Sequence, residues 1–305
     1  MKLLTILAAE NHRSIKEIIY FNFLLMILIA DSGSTKTAWC AIKNGDKKIY
    51  FESEGYNPFF VTPDYVKESL RRSLPNNLAP EGISAVHFYG AGCQGDKIAV
   101  MQSTLQDVFF QAPEVSVEGD LLAAARALLG RAAGFVAILG TGTNTCIYDG
   151  DKITDNIDSL GFLLGDEGSG AYIGKQIISD YIRGKMPATM REFFFREYAL
   201  TPSELMSRVY TAKLPNRYCA GFTHLLTKEG ADAGYKEKVV KTSFHHFFTN
   251  LVSAYPGYRQ YDLNCIGSIG YVFQDLLTAV AAEYGMKTGK ITSSLISDLA
   301  VYHAG

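Results

Sequence analysis

The chain has 305 residues, enough for two domains of ordinary size, each with its own core. Hydrophobic residues make up 48% and charged residues 20%, values typical of a globular protein. The net charge of −2 means that basic residues are not in excess, which argues against a nucleic-acid partner. The five cysteines are odd in number, scattered and without a CxxC pair, which predicts reduced thiols and a cytoplasmic location.

The N-terminal residues 1–25 are predicted to be an extension of the fold. The apolar run at 18–30 is shorter than the ~20 residues needed to cross a bilayer. Charged residues before it are unlike a signal peptide. No membrane association is therefore expected. Met26 directly precedes a clean apolar strand, so we expect the working fold to begin there; a surface-packed helix is the alternative for 1–25.

The first predicted unit is a hairpin of three strands over residues 27–55. Its first strand ends at Asp31, a Gly/Ser/Thr-rich turn follows, and Asn44-Gly45 marks a tight turn between the next two strands. The pattern then alternates between helices and short strands, which is typical of an α/β fold. Helices are predicted at 63–73, 96–110 and 121–129, and strands at 84–89 and 115–118.

The same hairpin pattern returns at residues 135–155, around the turn Gly140-Thr141-Gly142 and the tight turn Asp149-Gly150. Its recurrence predicts a duplicated unit. A third Gly turn, Gly267-Ser268, follows an apolar strand at 263–266. Because Gly lets the backbone approach an anion and hydroxyls add donors, these turns predict a polyphosphate ligand. The remaining segments are predicted to be mostly helical: 170–183, 187–234, 236–251 and 272–284.

Two other nucleotide-binding motifs fit less well. Residues 168–175 resemble a mononucleotide P-loop, but the glycine spacing is wrong and Gln176 stands where Ser or Thr is required. Residues 90–95 match GxGxxG, and Glu114 stands about where a ribose-binding acid would be. The strands before that motif are joined by hairpins rather than by a crossover helix. A simple strand-to-helix turn is therefore the preferred interpretation, and a dinucleotide site the alternative.

Three acidic residues, Asp31, Asp120 and Asp166, stand where strands end or helices begin. Each could simply cap a turn or a helix, since Asp is common there. Their shared position favours function, because α/β folds collect ligands at the carboxyl ends of strands. Phosphoryl transfer needs an acid for Mg²⁺, a base for the attacking hydroxyl and N–H groups for phosphates. The set as a whole favours such a site.

The order of these motifs resembles the actin-like ATPase and sugar-kinase superfamily. The residues concerned are 31–37 (DxGxTxT), then 140–142 (GTG), then 267–268 (GS) before a helix. The string at 165–169 (GDEGS) is similar to the N-acetylglucosamine kinase branch, which is grouped with the BadF-type ATPases. The resemblance extends from Met26 nearly to the C-terminus.

The resemblance implies an α/β fold of two ribonuclease-H-like (actin-like ATPase) domains with mixed sheets around an interdomain cleft. The N-terminal domain would span 26–118 and be completed by 289–305, and the C-terminal domain would span 119–288. Asp120 matches the family's catalytic base, and Asp31 would face Mg²⁺. The sugar would be bound by Asn57, Thr141, Asn144 and Asp166. ATP would be bound by Gly33, Ser34, Thr35, Lys36, Thr37, Gly140, Gly142, Gly267 and Ser268.

By this resemblance the chain is an ATP-dependent kinase of an N-acetylated amino sugar, and N-acetylglucosamine phosphorylated at its 6-hydroxyl is the expected substrate. ATP, Mg²⁺ and the sugar are its expected ligands, and a homodimer is left open. The alternative is an ATPase that activates a radical dehydratase through an iron–sulfur cluster, for which Cys93 is the nominated ligand. A third hypothesis, a sugar-sensing regulator, lacks a DNA-binding module because residues 1–25 are short and weakly basic.

Overall fold

The computed structural model describes residues 26–33, 35–43 and 47–304. The predicted N-terminal extension at 1–25, Ser34 of the first turn and the tight turn Asn44-Gly45 lie outside the described residues. The chain divides into two compact units. One runs through Ala123 and includes Leu295 onward, and the other is Ala124–Ser294. Asp120, which the sequence assigned to the second domain, therefore belongs to the first unit.

The first unit is built on a five-stranded mixed sheet with the strand order β3-β2-β1-β4-β5. The central strand β1 pairs antiparallel with β2, and β2 with β3, as the predicted hairpin requires. On its other side β1 pairs parallel with β4, and β4 with β5. The strands are β1 (Met26–Ser32), β2 (Lys36–Lys43), β3 (Lys47–Glu54), β4 (Ala85–Gly90) and β5 (Glu114–Gly119).

Apolar residues that alternate along these strands form the core of the first unit. Trp39 is fully buried, stacks on Phe51 at 5.7 Å between ring centroids and donates its indole N–H to Ser53 Oγ at 2.8 Å. The C-terminal helix packs on β1 and β2, so residues from both ends of the described chain complete this core. The helices are α1 (Pro63–Ser73), α2 (Asp96–Val108), α3 (Asp120–Leu129), which crosses into the second unit, and, at the C-terminus, α12 (Ile296–Ala304).

The second unit repeats this topology. Its sheet has the order β10-β9-β6-β7-β8. The central strand β6 pairs antiparallel with β7 on one side and parallel with β9 on the other. The predicted duplication is thus present as two sheets of the same connectivity. The strands are β6 (Gly134–Leu139), β7 (Thr143–Tyr148), β8 (Ile153–Asp155), β9 (Leu263–Ile266) and β10 (Thr288–Thr292).

The segment between β8 and β9 is helical and covers one side of this second sheet. Thr201 begins one of these helices with a complete capping box, in which Thr201 and Glu204 bond each other's backbone N–H. Phe194, Phe244 and Phe247 are fully buried in the core that these helices share with the sheet. The helices are α4 (Gly161–Leu164), α5 (Gly170–Ile182), α6 (Ala188–Tyr198), α7 (Pro202–Thr211), α8 (Pro215–Gly221), α9 (Ala233–Asn250), α10 (Ser268–Val272) and α11 (Gln274–Glu283).

The predicted fold class, α/β with two mixed sheets, is confirmed. One strand was missed in the sequence: β10, whose residues 288–292 (TGKIT) carry too few apolar positions to stand out from a loop. It forms because the edge of β9 leaves backbone groups to be paired, and its register shifts between Thr288 and Ile291. Within the described part of the chain, no helix is long and apolar enough to cross a membrane.

The contact between α5 and α8 gives a stability prediction. A Cβ at Gly174 would lie 1.9 Å from the carbonyl oxygen of Cys219, whereas a Cβ at Gly221 would meet nothing within 4 Å. We expect Gly174→Ala to force these helices apart and lower the free energy of unfolding by roughly 2 kcal/mol or more. Gly221→Ala, the matched control, should be neutral or slightly stabilising. Thermal denaturation of both variants tests this, and equal melting temperatures would contradict it.

Candidate active site

The candidate residues of the first unit lie at the carboxyl ends of three neighbouring parallel strands. In the register of the sheet, Asp31 of β1 is opposite Tyr89 of β4, and Gly90 is opposite Gly119 of β5. Asp120 follows Gly119 directly and begins α3. The predicted metal-binding acid and the predicted catalytic base therefore sit at the same edge of one sheet.

The two carboxyl groups at this edge are electrostatically coupled. Burial, followed by repulsion from Asp120, raises the pKa of Asp31 from 3.8 to about 6, although Lys36 opposes the rise. Burial also raises the pKa of Asp120, opposed by hydrogen bonds from the backbone N–H groups of Leu121 and of Asp120 itself. Two buried carboxylates that repel each other destabilise the folded protein unless a bound cation or other ligand compensates their charge. Perturbed carboxyls of this kind are common in active sites.

The first predicted phosphate turn links β1 to β2. Gly33 N–H donates to the carbonyl of Lys36 at 3.0 Å, which closes the turn. Thr35 and Lys36 are exposed, and the Lys36 ammonium pairs with Glu52 at 2.7 Å. Thr37, which the resemblance assigns to ATP binding, is fully buried. Its hydroxyl donates to the carbonyl of Glu54 at 2.9 Å.

A short hydrogen-bond chain brings the predicted sugar-binding Asn57 to this edge of the sheet. Ser32 Oγ lies 2.7 Å from Thr37 Oγ1 and accepts the backbone N–H of Tyr56 at 3.1 Å. The chain therefore leaves β3 beside the end of β1, and Asn57 follows at once. Asn57 is 8% exposed, and its Oδ1 accepts the N–H of Phe59 at 3.0 Å. Asn57 thus lies in the same unit as Asp31 and Asp120.

The candidate residues of the second unit lie at and around the turn between β6 and β7. Gly140 N–H donates to the carbonyl of Gly142 at 3.0 Å and closes the turn. The carbonyls of Gly140 and Thr141 then accept the first N–H groups of α5, from Gly170 at 2.8 Å and Ala171 at 3.0 Å. The predicted phosphate turn is thereby fixed to the N-terminus of a buried helix. Thr141 itself is exposed.

Asp166 packs directly against this second turn. Its Oδ1 accepts the N–H of Thr143 at 3.0 Å, and a Cβ at Gly142 would lie 3.1 Å from both carboxylate oxygens. Asp166 is 6% exposed and has a φ of +61°, in the left-handed region that non-Gly residues occupy at a cost of ~1–3 kcal/mol. Burial raises the pKa of its carboxyl, opposed by the Thr143 hydrogen bond and by Lys175. A strained, buried and oriented carboxylate is typical of a ligand-binding residue.

The third Gly turn meets the second one. Gly267 has a φ of +122°, and a Cβ there would lie 2.3 Å from the carbonyl oxygen of Leu139 and 3.0 Å from Gly140 N. Only Gly fits this approach. Ser268, the first residue of α10, is exposed. The structure therefore brings the second turn, Asp166 and the Gly267-Ser268 turn together within one unit.

Two further residues, Asn156 and Lys175, support the candidate residues of the second unit and were not predicted as site residues. Asn144 Oδ1 accepts the side-chain N–H of Asn156 at 3.0 Å, so Asn156 orients the predicted sugar-binding amide. Lys175 Nζ donates to the carbonyl of Phe162 at 2.5 Å and holds the segment that leads into Asp166. No motif marks Asn156, and Lys175 stood out only as the last residue of the rejected P-loop match, because each acts through a contact with another segment.

Cys93 is poorly suited to hold an iron–sulfur cluster. It is 4% exposed, and burial followed by repulsion from Asp120 raises the pKa of its thiol to about 12. Since the thiolate is the metal ligand, this environment disfavours ligation. Over residues 26–33, 35–43 and 47–304, no group of three or more His, Cys, Asp or Glu side chains is arranged to hold a metal ion.

Comparison with solved structures finds extensive similarity. The chain is 36% identical to a candidate N-acetylglucosamine kinase from Porphyromonas gingivalis, with a TM-score of 0.84 over 92% of this chain and 99% of the other. A candidate N-acetylglucosamine kinase from Chromobacterium violaceum shares the fold at 15% identity, with a TM-score of 0.69 over 92% and 99% of the two chains. A ROK family glucokinase from Streptomyces griseus, in complex with glucose and AMPPNP, matches at 12% identity and a TM-score of 0.53 over 92% and 97%.

No protein-family model matches the chain, and no curated protein matches it. The repeated sheet topology agrees with the predicted actin-like ATPase fold. At 36% identity over nearly the whole chain, the protein belongs to the N-acetylglucosamine kinase-like family. The predicted family is confirmed, and with it the enzyme class, an ATP-dependent sugar kinase.

The raised pKa of Asp31 gives a pH-dependent stability prediction. The folded chain binds this proton more tightly than the unfolded chain, so the free energy of unfolding falls as the pH rises from about 4 through about 6. We expect Asp31→Asn to stabilise the protein above pH 6, by on the order of 1–3 kcal/mol, with little change at pH 4.

Denaturant unfolding of the wild type and Asp31→Asn at pH 4 and pH 7.5 measures the difference. Exposed Asp151, in the turn after β7, supplies the matched control Asp151→Asn. A stability gain that is equal at both pH values, or equal in the two variants, would show that Asp31 does not carry the destabilising charge.

Proposed function

We propose that the protein transfers the γ-phosphoryl group of ATP to the 6-hydroxyl of N-acetylglucosamine. The observation that carries this proposal is the pair Asp31 and Asp120, coupled carboxyls at the carboxyl ends of β1 and β5, the parallel strands on either side of β4. The candidate activity of the Porphyromonas gingivalis relative supports the choice of sugar. The expected cytoplasmic location remains a prediction, and a homodimer is left open.

Asp120 acts as the general base. Its carboxylate accepts the proton of the sugar hydroxyl while that oxygen forms a bond to the γ-phosphorus, and the bond between the γ-phosphorus and the β–γ bridging oxygen breaks to release ADP. The raised pKa supports this role, because a carboxylate with a higher pKa is a stronger base. The backbone N–H of Leu121 fixes the carboxylate in position.

Asp31 is the residue that would hold Mg²⁺. Its environment fits the ion, since burial and a neighbouring carboxylate leave a negative charge that a cation would neutralise. Mg²⁺ in kinases is held by one or two carboxylates together with phosphate oxygens, so a larger cluster of acids is not needed. When bound, the ion supplies charge neutralisation at the phosphates. Gly33, with the exposed Thr35 and Lys36, provides the turn that faces the phosphate groups.

The second unit contributes further binding groups. Thr141, exposed on a turn anchored to α5, and Asn144, oriented by Asn156, are assigned to phosphate and sugar contacts. Asp166 accepts hydrogen bonds from sugar hydroxyls, for which its buried and oriented carboxylate is suited. Gly140 and Gly142 keep the turn free of side chains that would obstruct phosphates, and Gly267-Ser268 borders the adenosine.

The assignment of Asp120 predicts a selective loss of turnover. Asp120→Asn keeps the shape of the side chain but removes the base, so we expect the turnover number to fall by roughly 10²–10⁴ while ATP affinity is retained. Glu114→Gln makes the same chemical change at the opposite end of β5 and should leave turnover within about twofold. Steady-state kinetics and calorimetric ATP titration measure both quantities. Wild-type turnover in a folded Asp120→Asn variant would remove Asp120 from the mechanism.

A sugar panel tests the choice of substrate. ADP release with N-acetylglucosamine, N-acetylmannosamine, glucosamine and glucose should give the highest kcat/KM for N-acetylglucosamine, with product phosphorylated at the 6-position. Phosphorus NMR of the product identifies the position. A higher kcat/KM for glucose or N-acetylmannosamine would reassign the substrate, and sugar-independent ADP release alone would argue for an ATPase.

A further inference from the structure

The turn after β4 has no role in the function proposed above, although its sequence stands out. Residues 90–95 form the GxGxxG match, and Gly92 has a φ of +81°. The turn lies at the same sheet edge as Asp31, because β4 pairs with β1 up to Ser32 opposite Gly90. It is therefore adjacent to the candidate residues of the first unit.

The backbone at Gly92 packs directly on Asn57. A Cβ at this position would lie 2.6 Å from Asn57 Oδ1 and 3.0 Å from Asn57 Cγ. It would also lie 3.0 Å from Cδ2 of Phe59, whose N–H donates to the same Asn57 Oδ1 at 3.0 Å. The Asn57 carboxamide is thus held between the Phe59 backbone and the bare Cα of Gly92.

The turn is fixed in place and has little room to yield. Ala91 N–H donates to the carbonyl of Ser32 at 2.9 Å, and Cys93 N–H donates to the carbonyl of Gly90 at 3.0 Å. A side chain added at residue 92 would therefore displace the Asn57 carboxamide rather than the turn. Because Asn57 is 8% exposed, its carboxamide has few other positions to occupy.

We infer that Gly92 is a positioning residue for the sugar: its missing side chain lets the turn after β4 pack against the Asn57 carboxamide and fix its orientation. The inference rests on the proposed function, which assigns Asn57 to sugar binding. It predicts that a methyl group at residue 92 weakens sugar binding through Asn57 and leaves ATP binding unchanged. A purely structural role would affect both substrates or neither.

Gly95 offers a matched control on the same turn. It also has a positive φ, +53°, but a Cβ there would meet nothing within 4 Å. Ala at either position introduces left-handed backbone strain, and only Ala at residue 92 also contacts Asn57. Gly92→Ala should raise the sugar KM by about tenfold, the loss of roughly one hydrogen bond, with the ATP KM within about twofold. Gly95→Ala should leave both KM values within about twofold.

A double-mutant cycle tests whether the effect acts through Asn57. In an Asn57→Ala background the methyl group has no carboxamide to displace, so adding Gly92→Ala should raise the sugar KM by less than about twofold. Equal effects of Gly92→Ala and Gly95→Ala, an additive cycle, or a parallel rise in the ATP KM would each overturn the inference. A wild-type enzyme that phosphorylates no sugar would instead refute the proposed function, and the inference with it.

A folding readout keeps the test decisive if Gly92→Ala alone is unstable. Asn57→Ala removes Oδ1 and Cγ of Asn57, which the new methyl group would meet at 2.6 Å and 3.0 Å, and leaves the contact with Phe59. The double variant should then melt at a higher temperature than Gly92→Ala alone. The absence of any recovery would place the strain outside the Asn57 contact and overturn the inference.

Discussion

The first unit depends on keeping two carboxylates at the same end of its sheet, on the strands that flank β4. Parallel pairing of β1, β4 and β5 makes Asp31 and Asp120 neighbours, and burial with mutual repulsion raises the pKa of Asp31 to about 6. This arrangement costs folding free energy at neutral pH. A protein tolerates such a cost where the charges serve a ligand, and a magnesium–nucleotide complex is a ligand that would offset it.

The two units share a topology, but they hold their candidate ligand-binding side chains in different ways. In the first unit, the acidic side chains stand at strand ends, where burial is the largest influence on both pKa values and backbone N–H groups bond Asp120. In the second, Asp166 is fixed by the N–H of Thr143 and by a left-handed backbone, and the second turn is anchored to α5. A group that binds hydroxyls benefits from a fixed direction, whereas a base and a metal-binding acid depend more on charge. The difference between the units is consistent with the different roles proposed for them.

Much of the fold was accessible from the sequence because local signals agreed with each other. Pro63–Ser73 was predicted to the residue, since Thr62, Pro63 and the apolar spacing mark the same helix. The capping box of Thr201 and Glu204 is a local signal of the same kind, since its residues are nearly contiguous in the sequence. The strand β10 was missed because its formation depends on pairing with β9 rather than on its own composition. The position of Asp120 in the first unit was likewise not accessible, because α3 crosses the boundary between the units.

The sequence by itself determined the duplicated hairpins, the Gly turns and the acidic residues at strand ends, because each of these features depends on a short contiguous segment. Only the tertiary structure decided which of them come together within each unit. It buried the hydroxyl of Thr37 in a hydrogen bond to Glu54, set Gly267 against Leu139 and brought Gly92 onto the Asn57 carboxamide. Each of these contacts joins residues far apart in the chain. Their distances are set by strand pairing and close packing, which no local pattern encodes.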